Sequence, residues 1–346
     1  MTGVSAWIVR ASRARRGTPF SWALAAALGL VAACPRPRPA ALGPEPELRV
    51  GLGVAFSSVR LGGDGELVVV DDGNGQPVAA IPAGALWTVL PDSGGLILLR
   101  PDGSRTERHP GLSAVNVTEG HFAMANGHRY RGRVNLMRTG AGLSLVNRVP
   151  LESYVAGVLG QELGPRPVEE RQAQLAQAVV SRTFALRNRG RWEMEGFDAF
   201  ADTRDQVYAG VNGETEAVWD AVRATAGQVL RYRGELIDAF YHSTCCGRTA
   251  AVEEAFRSAR RRPYLKPVSD ASGDGRFYCE RSPRFRWRAE WDEATLRAVL
   301  TRSLAVVMPV PEDGLQPITD VCAPRQLESA DRRGYLLAVF GWRRNE

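Results

Sequence analysis

Glu162 stands where an apolar stretch meets a break, in Tyr154-Val155-Ala156-Gly157-Val158-Leu159-Gly160-Gln161-Glu162-Leu163-Gly164-Pro165. Apolar neighbours at a helix end partly desolvate a carboxyl group. Desolvation favours the protonated form, which is the form a general acid needs. Taken alone the signal is weak, because a glutamate near a helix end is usually a solvated surface residue. A second group is Tyr241-His242-Ser243-Thr244-Cys245-Cys246-Gly247, with Cys279 further along. His242, Cys245 and Cys279 have the types and spacing of a zinc site. In an oxidising compartment a Cys245–Cys279 or Cys246–Cys279 disulfide competes with metal binding. Cys322 could join either arrangement, and His242 by itself also suits a structural hydrogen bond. A third group, Asp202-Thr203-Arg204-Asp205-Gln206-Val207-Tyr208, sets polar side chains among aromatic ones. Such a mixture suits a sugar-binding cleft, where CH faces stack on rings and hydroxyls need donors and acceptors. A plain polar loop is the alternative. Trp287, Trp291 and Phe285 read as core rather than as a stacking platform. No G-x-S-x-G elbow, phosphate-binding Walker loop or H-E-x-x-H pair occurs, so those hydrolase and NTPase classes have no support.

These groups need elements to hold them. From about Leu48 to Asn147 short apolar stretches alternate with turn signals such as Asp71-Asp72-Gly73-Asn74-Gly75 and Asp102-Gly103. The pattern predicts a mainly antiparallel β region with no helix before residue 150. Leu151, Tyr154, Val155, Val158 and Leu159 then recur at helical spacing, predicting a short helix over Leu151–Gln161 that Gly164-Pro165 ends. A longer helix is expected from about Val168 to Arg189, and others over Trp219–Thr225 and Asp292–Leu304. Val229–Tyr232 and Leu236–Tyr241 read as a hairpin around Arg233-Gly234, and Ile318–Phe340 as strands. The fold class is α+β: an N-terminal β region followed by a mixed helix and strand core. Whether residues 49–150 form their own domain or half of one body stays open at this point.

The 346 residues are 44% hydrophobic and 24% charged, an ordinary globular composition. The formal charge of +6 does not argue for nucleic acid. Arg10, Arg13, Arg15 and Arg16 lie in an acid-free N-terminus, and without them basic and acidic residues nearly balance. Residues 1–34 read as a secretory signal. The apolar run Ser21–Ala33 is too short to span the roughly 30 Å of bilayer hydrocarbon. It ends Leu30-Val31-Ala32-Ala33-Cys34, which resembles a bacterial lipobox. By that resemblance Cys34 is diacylated and anchors the exported chain to a membrane; ordinary cleavage after Ala33 is the alternative. Residues 35–48 are Pro-rich and read as an extended tether.

Residues from about 128 to 291 resemble the SpoIID/LytB family of bacterial cell-wall proteins. The resemblance rests on His128-Arg129-Tyr130-Arg131-Gly132, on Val146 through Val158 and on Gln161-Glu162. It continues through Gln174 to Ala185, Asp205 to Gly210, Ala224 to Gly227, Tyr241 to Cys245, Pro263-Tyr264-Leu265 and Ser282-Pro283, in order. Residues 49–127 match only loosely, so 128–346 is taken as the family core. The family includes peptidoglycan lytic transglycosylases, which prefer glycan strands stripped of peptides, and proteins described as amidase enhancers. The resemblance implies Glu162 as the catalytic acid/base, with Gln206, Tyr208 and Arg182 holding the sugar or orienting Glu162; an ion-pair role for Arg182 is the favoured alternative. Catalysis would need no cofactor. Zinc bound by some members maps onto His242, Cys245 and Cys279, although Cys246 stands where glycine is usual. The implied partners are peptidoglycan glycan strands, a membrane through the lipid anchor, and an amidase in the enhancer reading, with no nucleic acid. The family pattern continues with a G-H-G-V-G type segment that is not seen before Glu346. By the resemblance the chain is then a truncated member or an incomplete sequence.

Overall fold

The computed structural model describes residues 44–256, 259–286 and 292–305. The expected signal, Cys34, residues 35–43 of the tether, Trp287, Trp291, Cys322 and the strands expected over Ile318–Phe340 lie outside the described residues, and the tether's last two residues, Glu47 and Leu48, belong to the first strand instead.

Eleven strands precede the first helix. They are β1 (Glu47–Phe56), β2 (Val59–Gly63), β3 (Leu67–Asp71), β4 (Pro77–Ile81), β5 (Leu86–Asp92) and β6 (Gly95–Leu99). There follow β7 (Gly111–Asn116), β8 (Ala123–Ala125), β9 (His128–Tyr130), β10 (Arg133–Thr139) and β11 (Gly142–Pro150). The helical part contains α1 (Leu151–Leu163), α2 (Arg171–Arg187), β12 (Ala199–Phe200), α3 (Glu216–Ala224), β13 (Arg231–Tyr232), β14 (Glu235–Leu236), α4 (Val252–Ala255) and α5 (Glu293–Ala305). Short 3₁₀ turns occupy Val168–Glu170, Glu193–Glu195 and Gly210–Gly213.

Two sheets result. One has the order β12-β1-β11-β10-β7-β3-β4, the other β6-β5-β2-β8-β9. All pairings are antiparallel except β1 with β12. Side chains alternate across a strand, so β3 buries Leu67 and Val69 while Val68 and Val70 lie nearer solvent. The buried faces of both sheets join one apolar cluster, in which Leu61 and Val89 of one sheet meet Leu112 and Leu136 of the other. Tyr154, Val155, Val158 and Leu159 of α1, Ala178 of α2 and Val222 of α3 enter the same cluster. The β region and the helices therefore share a core, which answers the question the sequence leaves open. The expected boundary after residue 127 falls at the turn between the paired strands β8 and β9.

β11 runs directly into α1, with Pro150 as the junction. Pro150 makes no side-chain cap. The N-terminal approach to β1 supplies one instead: Leu151 N–H donates to Pro46 O at 2.9 Å, and Glu152 N–H to a Glu45 carboxylate oxygen at 2.6 Å. Gly164, at φ 68°, ends the helix with its N–H on Gly160 O. The expected long helix is shorter, because its first turn tightens into the 3₁₀ turn at Val168–Glu170. The hairpin around Arg233-Gly234 is present but pairs only two residues a side. Among the described residues no helix is long and apolar enough to cross a membrane.

Candidate functional site

Glu162 lies in the last turn of α1, half-buried. Its position is fixed by close packing of α1 against the Gly210–Gly213 turn. A Cβ on Gly160 would come within 2.1 Å of Gly213 O, and one on Gly157 within 2.5 Å of the Tyr208 ring. Ala209 N–H donates to Gly157 O at 3.2 Å. This contact draws the preceding loop along α1, so that Val207 N–H donates to Glu162 Oε1 at 2.9 Å.

Tyr241 lies near the Glu162 carboxylate, close enough for the carboxylate to act on its phenol. Burial pushes the Tyr241 phenol well above its ordinary range, and the nearby charge of Glu162 adds to that, so the hydroxyl keeps its proton to donate. Behind it Gln206 Nε2 donates to the Tyr241 oxygen at 3.2 Å, and Tyr154 OH donates to Gln206 Oε1 at 3.2 Å. The donors run in one direction, Tyr154 to Gln206 to Tyr241, and fix the amide of Gln206.

Three of the residues expected to hold a sugar are enclosed. Gln206 has no exposed surface and acts within this line of donors. Tyr208 is buried, stacks on Tyr154 with centroids 5.3 Å apart and donates to Asn147 Oδ1 at 2.7 Å. Arg182 is also fully buried, with Nε and Nη2 on the two carboxylate oxygens of Glu152 and Nη1 on Gln228 O. None of the three faces solvent, so the direct sugar contact expected of them is corrected to a framing role, and for Arg182 to the ion pair. Asp205 likewise turns inward, to Trp192 Nε1 at 2.7 Å and Phe200 N–H at 2.8 Å. Phe285 is buried as expected.

The cysteine region forms a second cluster. Cys245 Sγ and Cys279 Sγ are 3.6 Å apart, and both thiols are free. The third ligand atom within 4.8 Å belongs to Asp270, not to His242, which is exposed on the surface beside it. Two thiolates bound to zinc at about 2.3 Å with tetrahedral angles lie roughly 3.8 Å apart, so this donor set suits the ion. Burial pushes the Cys279 thiol up to about 11. At Asp270 burial acts to raise the carboxyl, but the Cys279 N–H, the two thiols and the charge of His242 outweigh it and lower it. Sequence reasoning missed Tyr241 as a neighbour of Glu162, and it missed Asp270. The first had a signal, its place beside His242; the second had none.

With this geometry in view, comparison with known proteins gives a consistent result. The family model SpoIID, Stage II sporulation protein, matches residues 139–232, a span that holds Glu162, Gln206 and Tyr208. Stage II sporulation protein D of Bacillus subtilis is 31% identical over 223 residues, covering 58% of this chain and 62% of that one. Residues 139–232 thus carry a SpoIID domain. Stage II sporulation protein D of Bacillus amyloliquefaciens is 29% identical over 225 residues, with the same coverage of 58% and 62%. An uncharacterized protein of Brachyspira hyodysenteriae is 34% identical over 159 residues, 44% of this chain and 41% of that one. The chain thus spans less than two thirds of each of these relatives. Kinship with SpoIID proteins points to a function related to the cell wall.

Proposed function

We propose that the protein is a peptidoglycan lytic transglycosylase with Glu162 as its acid and base. The observation that carries this reading is a half-buried carboxylate at the end of α1, held by the Val207 main-chain N–H with the Tyr241 phenol nearby. Protonated Glu162 donates to the glycosidic oxygen between N-acetylmuramic acid and N-acetylglucosamine. As the bond breaks an oxocarbenium-like state develops. The carboxylate then accepts the proton of the muramic C6 hydroxyl as that oxygen attacks C1. The product is a 1,6-anhydro sugar, and no water is consumed. A single carboxyl group suffices, unlike the pair used in glycoside hydrolysis. Val207 N–H and the Tyr241 hydroxyl stabilise the carboxylate between the two proton transfers. Denuded glycan strands are the proposed substrate, and export with a lipid anchor at Cys34 the proposed location.

The test is digestion of purified denuded strands, with product ends read by mass spectrometry. Wild type is expected to release anhydro-muramic ends, and Glu162→Gln to lose about 10²-fold or more of the rate. Equal products from both proteins would overturn the role of Glu162. Binding to insoluble wall without any soluble fragment would favour the non-catalytic wall-binding or amidase-enhancing reading. For the cysteine cluster we propose structural zinc on Cys245, Asp270 and Cys279, supplying a cross-link and no step of the reaction. Metal analysis with and without reductant checks it: zinc lost in Cys279→Ser supports the site, and a metal-free protein with oxidised cysteines rejects it.

A further inference from the structure

The sheet face opposite α1 carries polar groups that the reading above leaves unused. Alternation along β10 and β11 sends Val134, Leu136, Leu145 and Val149 into the core and turns Arg133, Asn135 and Arg148 the other way. On that face lies a cavity of about 300 Å³, lined by Asp72, Arg133, Asn135, Met137 and Arg148 among others. Its size is that of a small-ligand site.

Arg133 and Arg148 are direct cross-strand partners, and like charges so placed destabilise a sheet. Arg49 continues the row on β1, where Asp198 and Glu193 neutralise it. The other two have no such acid. Arg148 approaches Glu47 only to 3.9 Å, and Arg133 has no ion pair among the described residues.

One position along, Asn135 is 8% exposed. Its Nδ2 donates to Ser113 Oγ at 2.5 Å and lies 3.4 Å from Asp72 Oδ2, while Ser113 Oγ donates to Asp72 Oδ1. A carboxylate only accepts, so the Ser113 proton goes to Asp72 and the amide must turn its nitrogen toward Ser113. Asn135 Oδ1 is thereby left buried with no partner. Such an atom is costly and calls for an explanation.

We propose that this cavity binds an amino-acid head group, with a carboxylate and an ammonium on one carbon. The two guanidinium forks take the carboxylate. The exposed Asp72 carboxylate takes the ammonium, beside Asn135, which lines the same cavity and keeps an unpartnered oxygen beneath its surface. An anion alone leaves Asp72 facing like charge, and a cation alone leaves the arginine pair uncompensated. The unbranched Met137 offers an adaptable wall for the ligand's side chain. The head group has two chemical sources: a free amino acid, or a diamino acid joined to a longer chain through its other amine. The site is independent of Glu162, which lies on the α1 side of the sheet.

Isothermal titration of the full chain with alanine, Nε-acetyl-lysine, propionate and ethylamine tests the proposal. At least one of the two amino acids is expected to bind about tenfold or more tightly than propionate and ethylamine. Tighter binding of Nε-acetyl-lysine identifies the chain-borne source, and tighter binding of alanine the free one. Arg133→Met, at an exposed position, is expected to lose about tenfold or more of that affinity without lowering the ligand-free melting temperature. Asp72→Asn is expected to weaken amino-acid binding and spare propionate. No heat from either amino acid at millimolar concentration, equal binding of propionate, or unchanged affinity in Arg133→Met would overturn the proposal.

Discussion

Tyr241 illustrates what a single side chain contributes to the Glu162 site. Its hydroxyl lies near the carboxylate, burial keeps it protonated, and it is itself held by Gln206. As a positioning residue it should affect rate more than binding. Tyr241→Phe removes the hydroxyl beside the carboxylate and the acceptor of Gln206 Nε2, and is expected to lower kcat on denuded strands by about tenfold with KM little changed. Parallel changes in both constants would mean that Tyr241 touches the sugar instead. The buried pair of Arg182 and Glu152 makes a stability prediction of a different size. Glu152→Gln leaves a fully enclosed guanidinium without its charge partner, at a cost of about 3–5 kcal/mol in urea unfolding. The helix end that carries Glu162 was legible from the Gly-Pro break beside it, whereas the role expected of Glu162 came from the family resemblance. Gln206 and Tyr208 were legible as members of the site but not as enclosed ones. A polar residue's direction is decided by what packs over it, and here that is Tyr154, more than fifty residues earlier.

At the scale of elements, periodicity located α1 within two residues at its C-terminal end, because Gly164 and Pro165 stop a helix by their own backbone restrictions. It could not reveal that α1 and the Gly210–Gly213 turn touch backbone to backbone, since glycines carry no pattern. That contact predicts a sharp effect of one methyl group. Gly160→Ala is expected to destabilise by about 1–3 kcal/mol and to reduce activity further than stability explains, because the displaced turn carries Val207 away from Glu162. Denaturant melts and the strand digestion assay, run on the same preparation, separate the two effects. The hairpin of β13 and β14 was expected with longer arms. The chain leaves the ladder after Leu236, and Tyr241 comes to lie against α1 instead.

For the whole molecule, the clamp of Arg49 on Asp198 joins the first strand to the segment entering β12. At Asp198 burial acts to raise the carboxyl, but hydrogen bonds from Arg49 outweigh it and lower it. A lowered carboxyl stabilises the fold above its unfolded range and loses that contribution as the pH falls through its folded value. Melting temperature is therefore expected to drop as the pH falls below about 4, and Asp198→Asn to flatten that acid limb while lowering stability at neutral pH. The antiparallel β region and the later helices could be anticipated from apolar spacing alone. Their common core could not, because it depends on which faces meet. The place of β1 between β11 and β12 has a temporal meaning as well. Its main partner emerges from the ribosome roughly 100 residues after it, several seconds at ordinary rates of synthesis. Until then the first strand has nothing to zip to, so the larger sheet can take in its first-made strand only after β11 has been synthesised.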